Sequence, residues 1–241
     1  MEDNSISLNK FISQTGICSR READQWILAG RVEINGQPTQ KGNRVYPGDK
    51  VTVDGKPLKD KPKSIYLAFH KPVGVTCTTD RRDKDNIIDF IKYPARIFPI
   101  GRLDKASSGL IFLTNDGDIV NEILREENQH EKEYIVKVNR PISQRFVERM
   151  SQGVPILGTK TKRCIVEKQS KFVFRIILTQ GLNRQIRRMC EFLNYKVVSL
   201  KRVRIMQVRL GKLEVGRWRN LSSEEIGQIK RQIQAPKRKQ R

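Results

Sequence analysis

The chain has 241 residues, of which 37% are hydrophobic, and it carries a net charge of +22. No uncharged stretch approaches the roughly 18–20 residues of a membrane-spanning helix, so we expect no membrane partner. Its four cysteines form no Cys-x-x-Cys pair and it has two histidines, which argues against a metal site and favours reduced thiols.

The positive charge is concentrated near the C-terminus. Residues 181–241 contain 17 basic and 4 acidic residues, a net charge of +13, whereas residues 1–63 and 64–180 carry +3 and +6. Such a bias is typical of proteins that bind polyanions. No basic amphipathic helix with an aromatic face stands out in the sequence, so nucleic acid is favoured over a membrane surface. The polar N-terminus lacks the apolar segment of a secretory signal, and we expect a cytoplasmic protein.

Residues 8–30 have the pattern of two helices. Thr15 and Gly16 interrupt the apolar periodicity between them. Ser19 has the character of an N-cap with Glu22 three residues on, as in a capping box, and Gly30 ends the second helix. Two short alternating runs with strand character follow, RVEING and DKVTVDG, ending in the turns Asn35-Gly36 and Asp54-Gly55.

This order of elements resembles the RNA-binding domain first seen in ribosomal protein S-four, over about residues 7–55. The SRREAD segment, the helix-ending Gly30 and the Asn-Gly turn occur in the family's order. The resemblance implies a small αL-type RNA-binding domain, placed at residues 7–60, whose helix face contacts RNA phosphates without reading sequence. For any one arginine a solvated surface charge is the alternative. The implied contacts are Lys10, Ser19, Arg20, Arg21 and Arg31.

Residues 56–64, KPLKDKPKS, have no apolar periodicity and are typical of a semi-rigid linker. A second domain, placed at residues 64–235, begins with the strand-like run IYLAFHKPVG, and a basic tail occupies residues 236–241. His70 in this run invites an acid–base interpretation, but a structural or RNA-contact role is favoured.

One carboxylate of the second domain lies in a charged turn between two strand-like runs. Asp104 stands between Arg102 and Lys105 in the segment GRLDKASSGL. Taken alone, such a carboxylate is typical of a turn residue or a surface ion pair. Asp118 to Leu124 looks helical, and the run KEYIVKV is typical of a strand that contains Tyr134, for which a half-buried strand aromatic is the ordinary interpretation.

The segment after residue 171 has the pattern strand, turn, helix and basic strand. Phe172, Phe174 and Ile176 alternate with the residues between them, and the string GLN predicts the turn. The string RQIRRMCEFL then predicts a helix with three residues facing inward: Ile186, Met189 and Cys190.

Together these segments resemble the signature motifs of the pseudouridine synthases, enzymes that isomerise uridine in RNA. GRLD resembles the turn of the invariant aspartate, KEY the second motif, and GLNRQIRRM the third motif of the Rsu-type branch. The resemblance implies Asp104 as the catalytic carboxylate, Tyr134 stacked on the target uracil, and Arg187 as the cation beside Asp104. A guanidinium there can form a bidentate pair with a carboxylate and favours its ionised form.

The same resemblance implies RNA contacts around the site. Arg102 would fill the place of the flipped base, and an ion pair that holds the turn is the alternative. Arg184 replaces a histidine found in another branch of the family. Arg188 points to a different helix face from Arg187 and is an RNA contact or a surface charge.

The implied fold class is α+β, with a mainly antiparallel mixed sheet flanked by helices in the catalytic domain. The implied reaction is an isomerisation, which requires neither metal nor cofactor, and whether Asp104 attacks the sugar or the base stays open. Strings such as FPIGRLDK and RVRIM resemble the members of the family that act on both 23S rRNA and tyrosine tRNA. We therefore expect a monomer that binds 23S rRNA or a ribosome assembly intermediate, with tyrosine tRNA as a second substrate. The alternatives are a 16S rRNA paralogue and a non-catalytic RNA-binding protein.

Overall fold

The structure is a computed structural model, and it describes residues 4–125 and 128–234. The contacts divide the chain into two units. The first contains the residues up to Ser64 together with Pro94–Arg96 and Asn115–Gly117. The second contains Ile65–Tyr93, Ile97–Thr114 and the residues from Asp118 onward. The basic tail expected at 236–241 lies outside the described residues.

Two short helices begin the first unit, as predicted: α1 (Leu8–Gln14) and α2 (Arg20–Leu28). The predicted capping box is present, because the Ser19 hydroxyl accepts from the Glu22 N–H and the Glu22 carboxylate accepts from the Ser19 N–H at 2.7 Å. Gly30 follows the helix with φ of +69°, a left-handed conformation that glycine adopts without strain. The core of this unit includes Leu8, Ile12, Ala23, Ile27, Val32 and Val51.

Six short strands complete the first unit: β1 (Ile6–Ser7), β2 (Val32–Ile34), β3 (Gln37–Pro38), β4 (Arg44–Val45), β5 (Val51–Val53) and β6 (Lys56–Pro57). Strand β1 pairs with β4, and the other four form a sheet in the order β3-β2-β5-β6. The turn residues Asp54 and Gly55 have φ of 50° and 70° and reverse the chain between β5 and β6. The linker predicted over 56–64 is therefore wrong at its start, because Lys56 and Pro57 pair with β5.

The second unit is built on one nine-stranded sheet. Its strands run in the order β13-β14-β10-β15-β9-β7-β17, with β8 paired to β9 and β16 paired to β15. The pairs are antiparallel except for β15 and β9, which run parallel at Lys201–Ser108 and Arg202–Gly109. The mainly antiparallel mixed sheet of an α+β fold is confirmed. The strands of this unit, including the separate hairpin β11–β12, are β7 (Tyr66–Lys71), β8 (Phe98–Ile100), β9 (Ser108–Thr114), β10 (Lys132–Val138), β11 (Pro155–Ile156), β12 (Thr159–Lys160), β13 (Ile165–Lys168), β14 (Val173–Leu178), β15 (Val197–Ile205), β16 (Val208–Arg209) and β17 (Trp218–Asn220).

Helices cover both faces of this sheet. They are α3 (Ile87–Ile91), α4 (Gly117–Leu124), α5 (Gln144–Ser151), α6 (Gln185–Phe192) and α7 (Ser223–Gln234). Helices α5 and α6 bury Phe146 and Ile186 in the core on one face, while α4 and α7 bury Ile123 and Ile229 in the core on the other. Because both faces are covered, the central strands are apolar on both sides.

The helix predicted to start at Asp118 is α4, and the helix predicted from the RQIRRM string is α6, with its three inward residues buried as expected. Within the described ranges no helix is long and apolar enough to cross a membrane.

Candidate active site

The loop that carries Asp104 joins two neighbouring strands. Strands β8 and β9 pair with Ile100 opposite Phe112, so the residues between them form a connection at one end of the sheet. Gly101 has φ of +76°, and a Cβ there would lie 2.9 Å from a methyl carbon of Leu124. The Ser107 N–H donates to the Asp104 carbonyl oxygen at 2.9 Å and tightens the turn. The side chain of Asp104 is 34% exposed.

Asp104 faces a cavity of about 910 Å³ in the second unit. Of the residues that line it, one is a carboxylate, Asp104, and seven are cations: Arg102, Lys105, Arg125, Lys132, Arg184, Arg187 and Arg202. Both Tyr134 and Arg187 line the same cavity, so the structure brings together the three residues that the sequence places in the catalytic site. A concave surface of this charge attracts a polyanion, and Asp104 is the one carboxylate in its lining.

Arg187 projects from α6 and is 8% exposed. Its Nε lies 3.7 Å from Oδ2 of Asp104, while its Nη2 donates to the Ala106 carbonyl oxygen at 2.9 Å and to the Ser107 Oγ at 3.0 Å. The pair is therefore not bidentate. The guanidinium meets the carboxylate through one nitrogen because the other holds the loop that follows Asp104.

Tyr134 lies on the central strand β10, opposite Ile176 of β14 and Arg202 of β15. It is 9% exposed, and the Cζ of Arg202 is 6.0 Å from its ring centroid. The aromatic ring therefore belongs to the wall of the cavity and is held by strands on both sides.

The three arginines expected to contact RNA near the site differ in their surroundings. Arg102 and Arg184 are exposed and line the cavity. Arg102 forms no ion pair with any residue in the described part of the chain, so it does not hold the turn by the ion pair considered as an alternative. Arg188 is half-buried and donates to the carbonyl and side-chain oxygens of Asn183, both at 3.1 Å.

In the first unit, Arg20 and Arg21 are exposed at the start of α2, and Lys10 lies on α1. The Ser19 hydroxyl acts as the helix cap. Arg31 forms a two-point ion pair with Asp54, at 2.5 and 2.9 Å, with its Cζ 5.0 Å from the Trp26 ring centroid. The pKa of Asp54 is lowered by these hydrogen bonds. A phosphate at Arg31 would have to compete with that carboxylate.

The sequence analysis missed Lys71, which follows His70 in the strand-like run IYLAFHKPVG. It is fully buried, and its ammonium donates to the Pro72 and Val75 carbonyl oxygens at 2.7 and 2.8 Å. Burial lowers its pKa to about 8, although the charges of Cys77 and Asp104 act in the opposite direction. Lys71 therefore adds a buried amine to the surroundings of Asp104.

Neighbouring His70 is buried, with Nδ1 2.7 Å from the Leu213 carbonyl oxygen, and burial lowers its pKa. His70 does not line the Asp104 cavity, and its burial favours the structural role over the RNA contact, the two roles that the sequence left open. Within the described ranges, no group of three or more His, Cys, Asp and Glu side chains is arranged to hold a metal ion.

The comparisons with known proteins agree with this geometry. Residues 65–192 match the RNA pseudouridylate synthase family, and residues 7–51 match the S4 domain. The chain belongs to the RNA pseudouridylate synthase family. It is 54% identical over 228 residues to "Dual-specificity RNA pseudouridine synthase RluF" of Escherichia coli (strain K12), an alignment that covers 94% of this chain and 79% of that protein.

More distant members of the RNA pseudouridylate synthase family cover nearly the whole chain. "Ribosomal large subunit pseudouridine synthase B" of Bacillus subtilis (strain 168) is 31% identical over 232 residues, which are 92% of this chain and 95% of that protein. A solved structure described as "Crystal structure of pseudouridylate synthase" superposes with a TM-score of 0.69 at 28% identity, covering 93% of this chain and 99% of its own. The protein is thus an enzyme that converts uridine to pseudouridine in RNA, and the non-catalytic alternative is wrong.

Proposed function

We propose that this synthase modifies specific uridines of 23S rRNA, in the free RNA or in a ribosome assembly intermediate, with tyrosine tRNA as a second substrate. The observation that carries the catalytic part is the cavity in which one carboxylate, Asp104, is opposed by Arg187 and bounded by Tyr134. The relatives support the choice of RNA, because one is named as a dual-specificity enzyme and another as a large-subunit enzyme. A 16S rRNA target is the alternative.

The reaction moves the sugar from one atom of the base to another. The C1′–N1 bond of uridine breaks, the detached uracil turns, and a C1′–C5 bond forms, while the base loses a proton from C5 and gains one at N1. No electrons enter or leave overall, so the balance needs no redox partner, phosphoryl donor or metal. What the site must supply is a carboxylate for the electron-poor C1′ and a proton relay at C5.

We assign the carboxylate role to Asp104, as nucleophile or as charge stabiliser. Arg187 places a positive charge 3.7 Å from the carboxylate, measured from Nε to Oδ2, and fixes the turn through Ala106 and Ser107. Tyr134 stacks on the uracil and is the candidate base or relay for the C5 proton. The ring is well placed for this, because it lines the cavity with Asp104 and its strand is paired on both sides within the sheet.

The target base must leave its helical stack to reach this cavity, at a cost of roughly a few kcal/mol. Arg102 fills the vacated place, since it is exposed, lines the cavity and has no ion-pair partner among the described residues. Arg184 and Arg188 contact the flanking phosphates. The residues Lys10, Ser19, Arg20, Arg21 and Arg31 form a second RNA surface on the first unit, where Arg20, Arg21 and Arg31 are exposed.

We further propose an RNA-binding domain at residues 7–60 and a catalytic domain at residues 64–235, in a monomer that works in the cytoplasm. The boundary near Ser64, where the two units meet in sequence, supports this division. A complete catalytic cavity within the second unit is consistent with a monomer, because the described residues of one chain supply all three catalytic groups.

Pseudouridine mapping tests the substrate assignment. RNA from cells lacking this protein is compared with RNA from cells complemented by the wild-type chain or by Asp104→Asn. We expect 23S rRNA and tyrosine tRNA sites that only the wild-type chain restores. Sites that appear only in 16S rRNA would establish the alternative, and restoration by Asp104→Asn would refute the assigned carboxylate.

A further inference from the structure

One buried cation of the cavity has no role in the chemistry described above. Arg202, on β15, is 4% exposed and lines the cavity together with Asp104 and Tyr134. Its Nε donates to the Leu110 carbonyl oxygen at 2.7 Å, and its Nη1 lies 3.4 Å from the Arg102 carbonyl oxygen. It forms no ion pair with any residue in the described ranges, and its Nη2 is buried there without a hydrogen-bond partner. Buried arginines are normally paired, because an uncompensated charge away from water is costly.

A β-bulge determines which way this arginine faces. Tyr134 of β10 is opposite Arg202, and Glu133 is opposite Arg204, so Val203 is an extra residue between the two arginines. Adjacent residues of β10 point to opposite faces of the sheet. The bulge therefore places Arg202 on the face of Tyr134 and Arg204 on the face of Glu133, although they are two residues apart. Arg204 is neutralised on its face by Glu131 and Glu133, at 2.9 and 2.7 Å.

The backbone of Arg202 is held just as closely. It pairs in parallel with Gly109, at the end of the Asp104 loop. A Cβ on Gly109 would lie 2.2 Å from the Arg202 carbonyl oxygen, and Gly109 has φ of +117°. The two strands approach this closely only because residue 109 is glycine. A bulge and a glycine thus place beside Tyr134 a cation that no described carboxylate of the free protein neutralises.

We propose that the fixed charge of Arg202 stabilises the negative charge that develops on the uracil when its bond to the sugar breaks. This inference rests on the proposed function. As the C1′–N1 bond breaks, its electron pair leaves with N1 and spreads over the two carbonyl oxygens of the base. The uracil anion then uses an electron pair to form the C1′–C5 bond, and the proton lost from C5 is transferred to N1.

A cation that is fixed in place before the reaction and is itself buried, as Arg202 is, stabilises such transient charge more than a solvated one does. Arg187 is held against Asp104 and its loop, so it serves the electron-poor sugar side. Arg202 lies beside the ring that stacks on the base. Its bonds to the Arg102 and Leu110 carbonyl oxygens also hold the two ends of the Asp104 loop.

The test compares two bases that differ in how well they carry negative charge. Arg202→Gln removes the charge and keeps hydrogen-bond donors, and single-turnover rates of C1′–N1 cleavage are measured with saturating RNA that contains uridine or 5-fluorouridine at the target position. With uridine we expect a loss of about 100-fold, typical of removing one preorganised group. With 5-fluorouridine we expect a clearly smaller loss, because fluorine stabilises the detached anion. A merely structural role predicts the same factor for both.

Arg204→Gln is the matched control, since it makes the same change on the same strand, on the other face. It loses two ion pairs and should lower the free energy of unfolding without changing the response to fluorine. If Arg202→Gln does not fold, Arg202→Met replaces it, because methionine also removes the charge, and its loss must also be smaller on 5-fluorouridine.

Equal losses on the two substrates, or a wild-type rate for Arg202→Gln, would overturn the inference while leaving the proposed function intact. A wild-type chain that forms no pseudouridine in 23S rRNA or tyrosine tRNA would instead overturn the proposed function.

Discussion

Replacing Arg187 by leucine should remove most of the turnover and leave RNA binding in place. Arg187 has two tasks, a charge contact of 3.7 Å with Asp104 and two hydrogen bonds from Nη2 to the loop that follows it. Two charges about 4 Å apart attract by about 4 kcal/mol at an effective dielectric constant of 20. Because the Asp104 side chain is 34% exposed, solvent screens this attraction, and we take about half of it, or about 2 kcal/mol. Each of these hydrogen bonds stabilises the loop by about 1–2 kcal/mol, between the values for neutral and for charged partners.

We therefore expect the single-turnover rate of Arg187→Leu to fall by about 10²–10³-fold with saturating RNA, where chemistry is separated from binding. Its free energy of unfolding, measured in urea, should fall by about 2–4 kcal/mol, because Ala106 and Ser107 lose a buried donor. Ser107→Ala loses one of the two hydrogen bonds and keeps the charge. It should lower stability by about 1 kcal/mol and leave the rate nearly unchanged.

Arg188→Leu is the matched control one residue along α6, where the side chain contacts Asn183. It should keep most of the chemistry and reduce the salt dependence of RNA binding. An inactive Arg188→Leu with an active Arg187→Leu would mean that the third motif is misplaced by one residue. If Ser107→Ala is as slow as Arg187→Leu, loop geometry and not the charge of Arg187 controls the reaction.

Asp104→Asn keeps the shape of the side chain and removes its charge, so pseudouridine formation should vanish while filter binding of RNA persists; measurable product would exclude Asp104 as the carboxylate. Removal of residues 1–60 should weaken RNA binding and leave a cooperative unfolding transition, whereas an insoluble product or unchanged affinity would contradict the two-domain division. Lys71 has a pKa lowered by burial from 10.5 to about 8, so between these pH values the unfolded chain binds more protons and stability rises with pH. Lys71→Met should abolish that rise, on the order of 3 kcal/mol in urea denaturation, and an unchanged slope would show that Lys71 is not its source.

Much of the fold follows from patterns that a few adjacent residues carry. The capping box of Ser19 and Glu22 and the helix-ending Gly30 depend on local geometry, so they are visible in sequence and present in the structure. The turn that contains Asp104 and the buried face of α6 also depend on neighbouring residues, so the sequence predicts them as well. The predicted linker was wrong at Lys56 because the Asp54-Gly55 turn permits a strand that a polar composition does not suggest.

The features that sequence did not reveal depend on contacts between distant segments. Lys71 lies at the end of the apolar strand β7, and its burial is evident only in the structure, where the whole strand is buried. Arg202 and Arg204 look equivalent in the string KRVRI, and only the pairing of β15 with β10 reveals that Val203 separates their faces. The contacts of Arg187 with Asp104 and with the loop that follows it likewise depend on how the fold packs α6 against that loop.

The sheet order has a consequence for how this enzyme acquires its activity. Arg187 reaches a carbonyl 81 residues away in the chain, and Arg202 reaches one 92 residues away. Contacts of such sequence separation form slowly and late, once the intervening chain has been ordered. The strands that carry the site, β9, β10 and β15, are neighbours in the sheet interior, whereas β13 and β17 are its edges. Local unfolding of an edge strand leaves the site intact. Unfolding of the central strands, which would expose their amides to exchange, removes the site. Catalytic activity is therefore gained and lost together with the global fold.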